Sequence, residues 1–219
     1  MMGNKQLRET RVNRQQDGKA KRADATRAAL ISAAERLIAE KGLASVSTRE
    51  ILQEAGQRNQ SALQYHFGSK EGLMRATISE RTRQIDEKRL NLMKDWTGNP
   101  TLDEVLEVLI LPLAELAEEE IGGKHYILFL CQAITQPDWD LRQAIKDFEL
   151  IGLGRAYEYY DELLADLPEE ARVVRQEIAY DVAILTLKRW CIREMELTPR
   201  QITKLVIHAN KAILEPPKR

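Results

Sequence analysis

No stretch of about 18 consecutive apolar residues occurs in the 219-residue chain, so no membrane-spanning helix is expected. Cysteine is scarce. Cys131 and Cys191 stand far apart with no CxxC and no histidine at ligand spacing, which excludes a zinc site, fits a reducing compartment and leaves both as buried packing residues. Histidine occurs three times, as His66, His125 and His208, never in an HExxH and never beside a cysteine. GxSxG, P-loop and GxGxxG sequences are absent too, and Gly152-Leu153-Gly154 is too short to count as one. The chain therefore offers no catalytic residue, no cofactor motif and no metal ligand set, and an enzyme is not the expectation. Alternating strand patterns are also missing. The opening MMGNKQLRETRVNRQQDGKAKR is basic but has no apolar run behind it, so it does not read as a secretory signal, and a cytoplasmic protein is expected.

What is present is a charge asymmetry hidden in a net charge of -1. Up to Lys70 there are 13 Lys+Arg against 7 Asp+Glu, a net +6; beyond it there are 20 against 27, a net -7. A basic front section carries the electrostatic footprint of a nucleic-acid binder, whereas an acidic rear section is repelled by phosphate.

The densest pattern lies in STREILQEAGQRNQSALQYHFGSK, Ser47 to Lys70. Ser47 and Glu50 form a capping box, and Ala55-Gly56 ends the helix that it opens. After a turn, Ser61 to Phe67 has apolar anchors at Leu63 and Phe67, one helical turn apart, and an outer face of Ser61, Gln64, Tyr65 and His66. Small polar groups and aromatic tips on a short, presented helix suit base edges and phosphate oxygens. This is the pattern of a helix-turn-helix.

Around it, residues 1–22 carry spaced charges with no sustained period and read as a disordered basic arm, either following DNA or simply solvated. Asp24 is a plausible N-cap for a first helix with apolar residues at Leu30, Ile31, Ala34, Leu37 and Ile38, ended by Gly42. Residues 23–70 thus make a three-helix head. Ser69 caps a connecting helix that runs to about Trp96. Thr101 and Glu104 open another, to about Glu120, with Pro112 inside it as an expected kink. Further helices are expected over His125–Thr135, Leu141–Asp166, Glu169–Met195 and from Thr198-Pro199 onward, about nine in all, so that 71–219 forms a second helical domain in an all-α protein.

The residues from about Thr26 to Leu73 resemble the TetR family of bacterial transcriptional regulators. Lys41-Gly42, Val46-Ser47-Thr48-Arg49-Glu50-Ile51, Ala55-Gly56 and above all Tyr65-His66-Phe67-Gly68-Ser69-Lys70-Glu71-Gly72-Leu73 carry the resemblance. QRNQSALQ is apparently one residue longer than the common family turn, which leaves the first residue of the recognition helix open. The resemblance implies a ligand-responsive regulator, commonly a repressor, that binds a near-palindromic double-stranded DNA operator as a homodimer formed through the last two helices. By chemistry, Thr48 and Arg49 offer donors to phosphate, Asn59, Gln60 and Gln64 can pair with adenine and Arg58 with guanine, with Ser61 beside them. Tyr65, His66 and Lys70 are implied backbone contacts. An unknown small-molecule effector would lie among the middle helices, where His125, Tyr126, Phe129, Trp139, Phe148 and Tyr157 gather; core packing is the other reading of those six. The competing function is a helical protein-interaction module without DNA binding, which shares every one of these periodicities.

Overall fold

The computed structural model describes residues 3–119, 122–136 and 141–214, and all regular structure among them is helical. α1 (Gly3–Lys41) leads through a short 3₁₀ turn, Leu43–Ser45, into α2 (Thr48–Glu54) and α3 (Ala62–Phe67). α4 (Lys70–Met93) then leaves the head and is followed by α5 (Leu102–Glu118), α6 (Gly123–Ala133), α7 (Leu141–Asp147) and α8 (Ile151–Leu163). Two long helices, α9 (Glu169–Arg193) and α10 (Pro199–Leu214), close the chain.

Two expectations differ from this architecture. Residues 3–22 continue α1 instead of forming an arm without regular structure, and Asp24 lies inside the helix. Once the apolar stripe of Leu30, Ala34 and Ile38 is docked, lengthening the helix backwards needs only propagation, which is cheap for a proline-free run of Lys, Arg, Gln and Glu. The expected helix over 141–166 is two helices, which with the rest makes ten α-helices among the described residues. The break falls at Glu149, whose φ is 53°, and Leu150, which is extended. Its compensation comes from another helix: the Asp86 carboxylate of α4 accepts hydrogen bonds from the backbone N–H of Gly152 (2.8 Å) and Leu153 (2.7 Å), capping α8 from outside. Gly152 has to be glycine there, because a Cβ would lie 2.9 Å from the Asp86 carbonyl and 3.2 Å from the Arg89 side chain.

The capping boxes at Ser47/Glu50 and Thr101/Glu104 form as read, and Thr198 and Gln201 make the same reciprocal pair at the start of α10. α5 runs through Pro112, with Leu106, Ile110, Leu111 and Leu113 buried around it. α10 packs on α5 and α9, and α6 packs between α9 and α1. One apolar cluster therefore runs from Leu30, Ile51, Leu63 and Leu73 in the head to Leu106, Ile127, Ile184 and Val206 in the bundle. Cys131 and Cys191 are buried and unbridged within it.

The last two helices leave part of their apolar surface uncovered. Ala179, Ala183 and Leu187 of α9 face the core, while Val174, Ile178, Leu185 and Ile192 are exposed on the other side, as is Leu205 of α10.

Candidate nucleic-acid interface and effector cavity

The head is built by local hydrogen bonds that the sequence specifies. Ser47 accepts from the Glu50 N–H, and the Glu50 carboxylate accepts in return from the Ser47 N–H at 2.9 Å and from Lys41 Nζ at 3.0 Å. These bonds, the Ser47 backbone donor first and Lys41 next, hold the Glu50 carboxyl down at about 2. Gly56, at φ 66°, closes α2, with the Gln57 N–H reaching back to the Leu52 carbonyl at 2.8 Å.

The turn then runs through Gln57 to Ser61, and α3 begins at Ala62, which resolves the register left open by the longer turn. Asn59 Oδ1 accepts from both the Ser61 N–H (3.0 Å) and the Ser61 hydroxyl (2.7 Å), so this side chain is engaged in shaping the turn. α3 ends at Gly68, and α4 starts against it at close quarters: a Cβ on Gly72 would lie 2.0 Å from the Phe67 carbonyl oxygen. Only glycine allows that approach. Arg27 of α1 lies over the Phe67 ring at 5.6 Å, fixing the inner face of α3.

Of the ten residues expected at DNA, Thr48, Arg49, Arg58, Asn59, Gln60, Ser61, Gln64 and Tyr65 are exposed, with Tyr65 at 79%. They come from the first turn of α2, the turn after it and the outer side of α3. His66 is half-buried, edge-on to Tyr65 at 4.9 Å. Lys70 stands differently from its expected role. Its ammonium points back into the head and donates to the carbonyls of Leu43 (2.9 Å) and Val46 (2.5 Å), tying α4 to the loop before α2. One of its three N–H groups remains for another acceptor.

Head and bundle meet at a buried ion pair. Glu35 of α1, 2% exposed, accepts from Arg81 of α4 through Nε at 3.0 Å and Nη2 at 3.1 Å. Burial raises the Glu35 pKa above its usual range, with the Arg81 hydrogen bond and charge opposing, and nearby His125 also pulling it down. His125 thus belongs to this joint. It does not line the cavity described next.

That cavity lies in the bundle among α4, α5, α6, α8, α9 and α10 and has an empty volume of about 740 Å³, its open mouth included. Tyr126, Phe148 and Tyr157 line it as expected; Phe129 is fully buried in the core and is not among its lining residues, and Trp139 lies outside the described residues. Aliphatic side chains of α4, α5 and α9 supply most of the remaining wall. Its polar members were not foreseen: Arg89, Gln176, Asn210 and the phenols of Tyr160 and Tyr180. The Tyr126 hydroxyl lies 3.1 Å from Thr82 Oγ1, and burial pushes that phenol up to about 12.

The family described as bacterial regulatory proteins, tetR family, matches residues 30–77. No curated protein matches the chain in sequence. Among solved structures, a TetR family transcription regulator from Marinobacter aquaeolei VT8 is similar with a TM-score of 0.61 and 19% identity, over 89% of this chain and 98% of that one. FadR of Bacillus halodurans, a fatty acid degradation regulator, gives 0.58 and 18% over 89% and 97%. NalD of Pseudomonas aeruginosa, the secondary repressor of the MexAB-OprM multidrug efflux pump, gives 0.52 and 20% over 89% and 100%. The matched segment spans the end of α1, the whole helix-turn-helix and the first turns of α4, and the helical body behind it has the fold of these regulators. Residues 30–77 thus match the family of bacterial regulatory proteins, tetR family, and the described residues behind them share the fold of solved regulators of that kind.

Proposed function

We propose that this protein is a ligand-responsive repressor in the cytoplasm, binding a near-palindromic operator as a homodimer and released from it by a small molecule held in the bundle cavity. The observation that carries the DNA reading is the uncovered polar face of α3 and the turn before it, with Tyr65 at 79% exposure on a head of net positive charge. Residues 23–70 are the reading head and residues 71–219 the effector and dimerisation domain.

Within that head, Arg58, Gln60, Ser61 and Gln64 meet base edges. Gln64 is the reader best supported, because its amide is exposed on the helix itself. Asn59 keeps its amide N–H groups for DNA while its oxygen holds the turn. Thr48, Arg49, Tyr65 and His66 meet phosphates, and Lys70 does so with the one hydrogen its clip leaves.

Two copies associate through α9 and α10. Exposed Val174, Ile178 and Leu185 on α9 and Leu205 on α10 support this, since each pair of helices alone leaves that apolar face in water. Release follows from linkage. A ligand that favours a bundle shape in which the heads no longer match two successive major-groove faces lowers DNA affinity, typically by about 1–3 kcal/mol. NalD, a repressor that shares the fold, is in keeping with this mode.

The test is to recover genomic fragments retained by the protein and measure affinity for them against salt. We expect an enriched near-palindrome and an affinity that falls steeply as salt rises, through counterion release. Gln64→Ala should relax the selected sequence more than it lowers overall affinity. Fragments without common sequence, or binding indifferent to salt, would favour the protein-interaction module instead.

A further inference from the structure

We infer that the cavity takes an apolar molecule carrying one carboxylate, and that Arg89 holds the carboxylate. This rests on the reading of the cavity as the effector site and adds the chemistry of the ligand. Among the residues that line the cavity, Arg89 is the one side chain charged at neutral pH; the others are aliphatic, aromatic or neutral polar. It is 4% exposed, and its Nε and Nη1 are buried with no hydrogen-bond partner in the protein. A guanidinium in that state is costly unless something satisfies it.

The nearest internal candidate does not. Asp86 Oδ1 lies 3.8 Å from Arg89 Nη1, beyond hydrogen-bond reach, and both Asp86 oxygens are already held by the Gly152 and Leu153 N–H groups at the start of α8. That helix end adds its own partial positive charge beside the guanidinium. Burial lowers the Arg89 pKa, with Asp86 and the neighbouring tyrosines opposing.

The geometry of the acceptor follows from the donors. Nε–H and the Nη1 N–H groups point to different sides of the planar guanidinium, and an anionic carboxylate oxygen satisfies either with a stronger, charge-assisted bond than a neutral hydroxyl or carbonyl does. Tyr160 Oη is also buried without a partner and lines the same cavity, as a further donor. Burial raises the Tyr160 and Tyr180 phenols, so both remain neutral O–H donors. Around this polar end the wall is Ile85, Leu109, Ile110 and Ile184, which suits a hydrocarbon body.

The experiment is calorimetric titration of the 219-residue protein with decanoate and 1-naphthoate, each against its alcohol, decan-1-ol or 1-naphthalenemethanol. We expect at least one acid to bind tenfold or more tighter than its alcohol. In Arg89→Met that preference should vanish while the alcohol binds as before, and Arg89→Lys should keep part of it. The unfolding midpoint of Arg89→Met should not fall below wild type, whereas a guanidinium with a purely structural role would lower it on removal. Equal binding of acid and alcohol to the wild type overturns the carboxylate and leaves the cavity reading intact. Failure of all four probes to bind overturns both. Unchanged acid preference in Arg89→Met or, should that variant not fold, in Arg89→Lys assigns the anion elsewhere and refutes the role given to Arg89.

Discussion

Replacing Arg81 by leucine tests whether the joint between head and bundle is electrostatic. The change removes both hydrogen bonds that the Glu35 carboxylate accepts from Arg81, at 3.0 and 3.1 Å, and leaves that carboxyl 2% exposed with only the more distant charge of His125 to offset its burial. Breaking a buried pair from one side costs about 3–5 kcal/mol, and the Arg81 side chain is 18% exposed, so the lower end, about 3 kcal/mol, is appropriate. For a chain of this length that lowers the melting temperature by roughly 6–12 °C. The sign with pH follows from the direction of the shift. Burial raises the folded pKa of Glu35 above its usual 4.5, and losing Arg81 removes two of the causes that oppose burial, so the variant's pKa lies higher still. A raised acid contributes stability that is fully present below the unfolded pKa and lost as pH rises through the folded one. The penalty of Arg81→Leu should therefore be largest near pH 7 and shrink as pH falls towards 4.5. Urea unfolding at both ends of that window, at one fixed protein concentration, measures it. Adding Glu35→Leu should return most of the loss, because an apolar pair of similar volume carries no buried charge. An equal loss at both pH values, unrecovered in the double variant, would mean that Arg81 acts through packing and the electrostatic reasoning fails.

Two further changes probe the head and the dimer. Lys70→Ala should destabilise the head by about 1–2 kcal/mol, since two charge-assisted bonds to carbonyls are lost from a half-buried site. Hydrogen exchange over 42–47 should then accelerate, and unchanged protection would contradict the clip. Where the third N–H of Lys70 also meets a phosphate, the salt slope of DNA binding drops by about one in the same variant. Ile178→Glu, or Leu205→Glu on α10, should convert the dimer to a monomer in sedimentation, because each places a charge in an apolar face that association covers; an unchanged mass would move the dimer contact away from α9 and α10.

The head was legible because its signals are local. A capping box, a Gly after two turns of helix and an apolar pair four apart each act over a handful of residues, and the structure forms them where they were read. The long helices of the body were equally legible from their apolar stripes. What stayed hidden depends on contacts distant in sequence. The break between α7 and α8 carries no proline, and its cap is Asp86, more than sixty residues earlier in the chain. Lys70, read as a surface cation, is spent on carbonyls of a loop more than twenty residues before it. Residue type gave no hint of either partner.

The polar residues that matter most share a signal in the sequence. On α4, Thr82 and Arg89 fall in phase with Ile78 and Ile85, the residues that mark its buried stripe; on α1, Glu35 falls in phase with Ile31 and Ile38. An apolar pattern treats such positions as interruptions and assigns them to solvent. A charge on the buried side of a helix, however, is tolerated only with a partner or a use. Glu35 has its partner in Arg81, and Asp86 has two backbone donors. Arg89 is left with two nitrogens that make no hydrogen bond within the protein, and a cavity. One rod therefore carries the Lys70 clip to the head, the Arg81 joint to α1, the Asp86 cap on α8 and the Arg89 guanidinium at the cavity. Whatever satisfies Arg89 acts on the same helix that sets where the recognition helix sits.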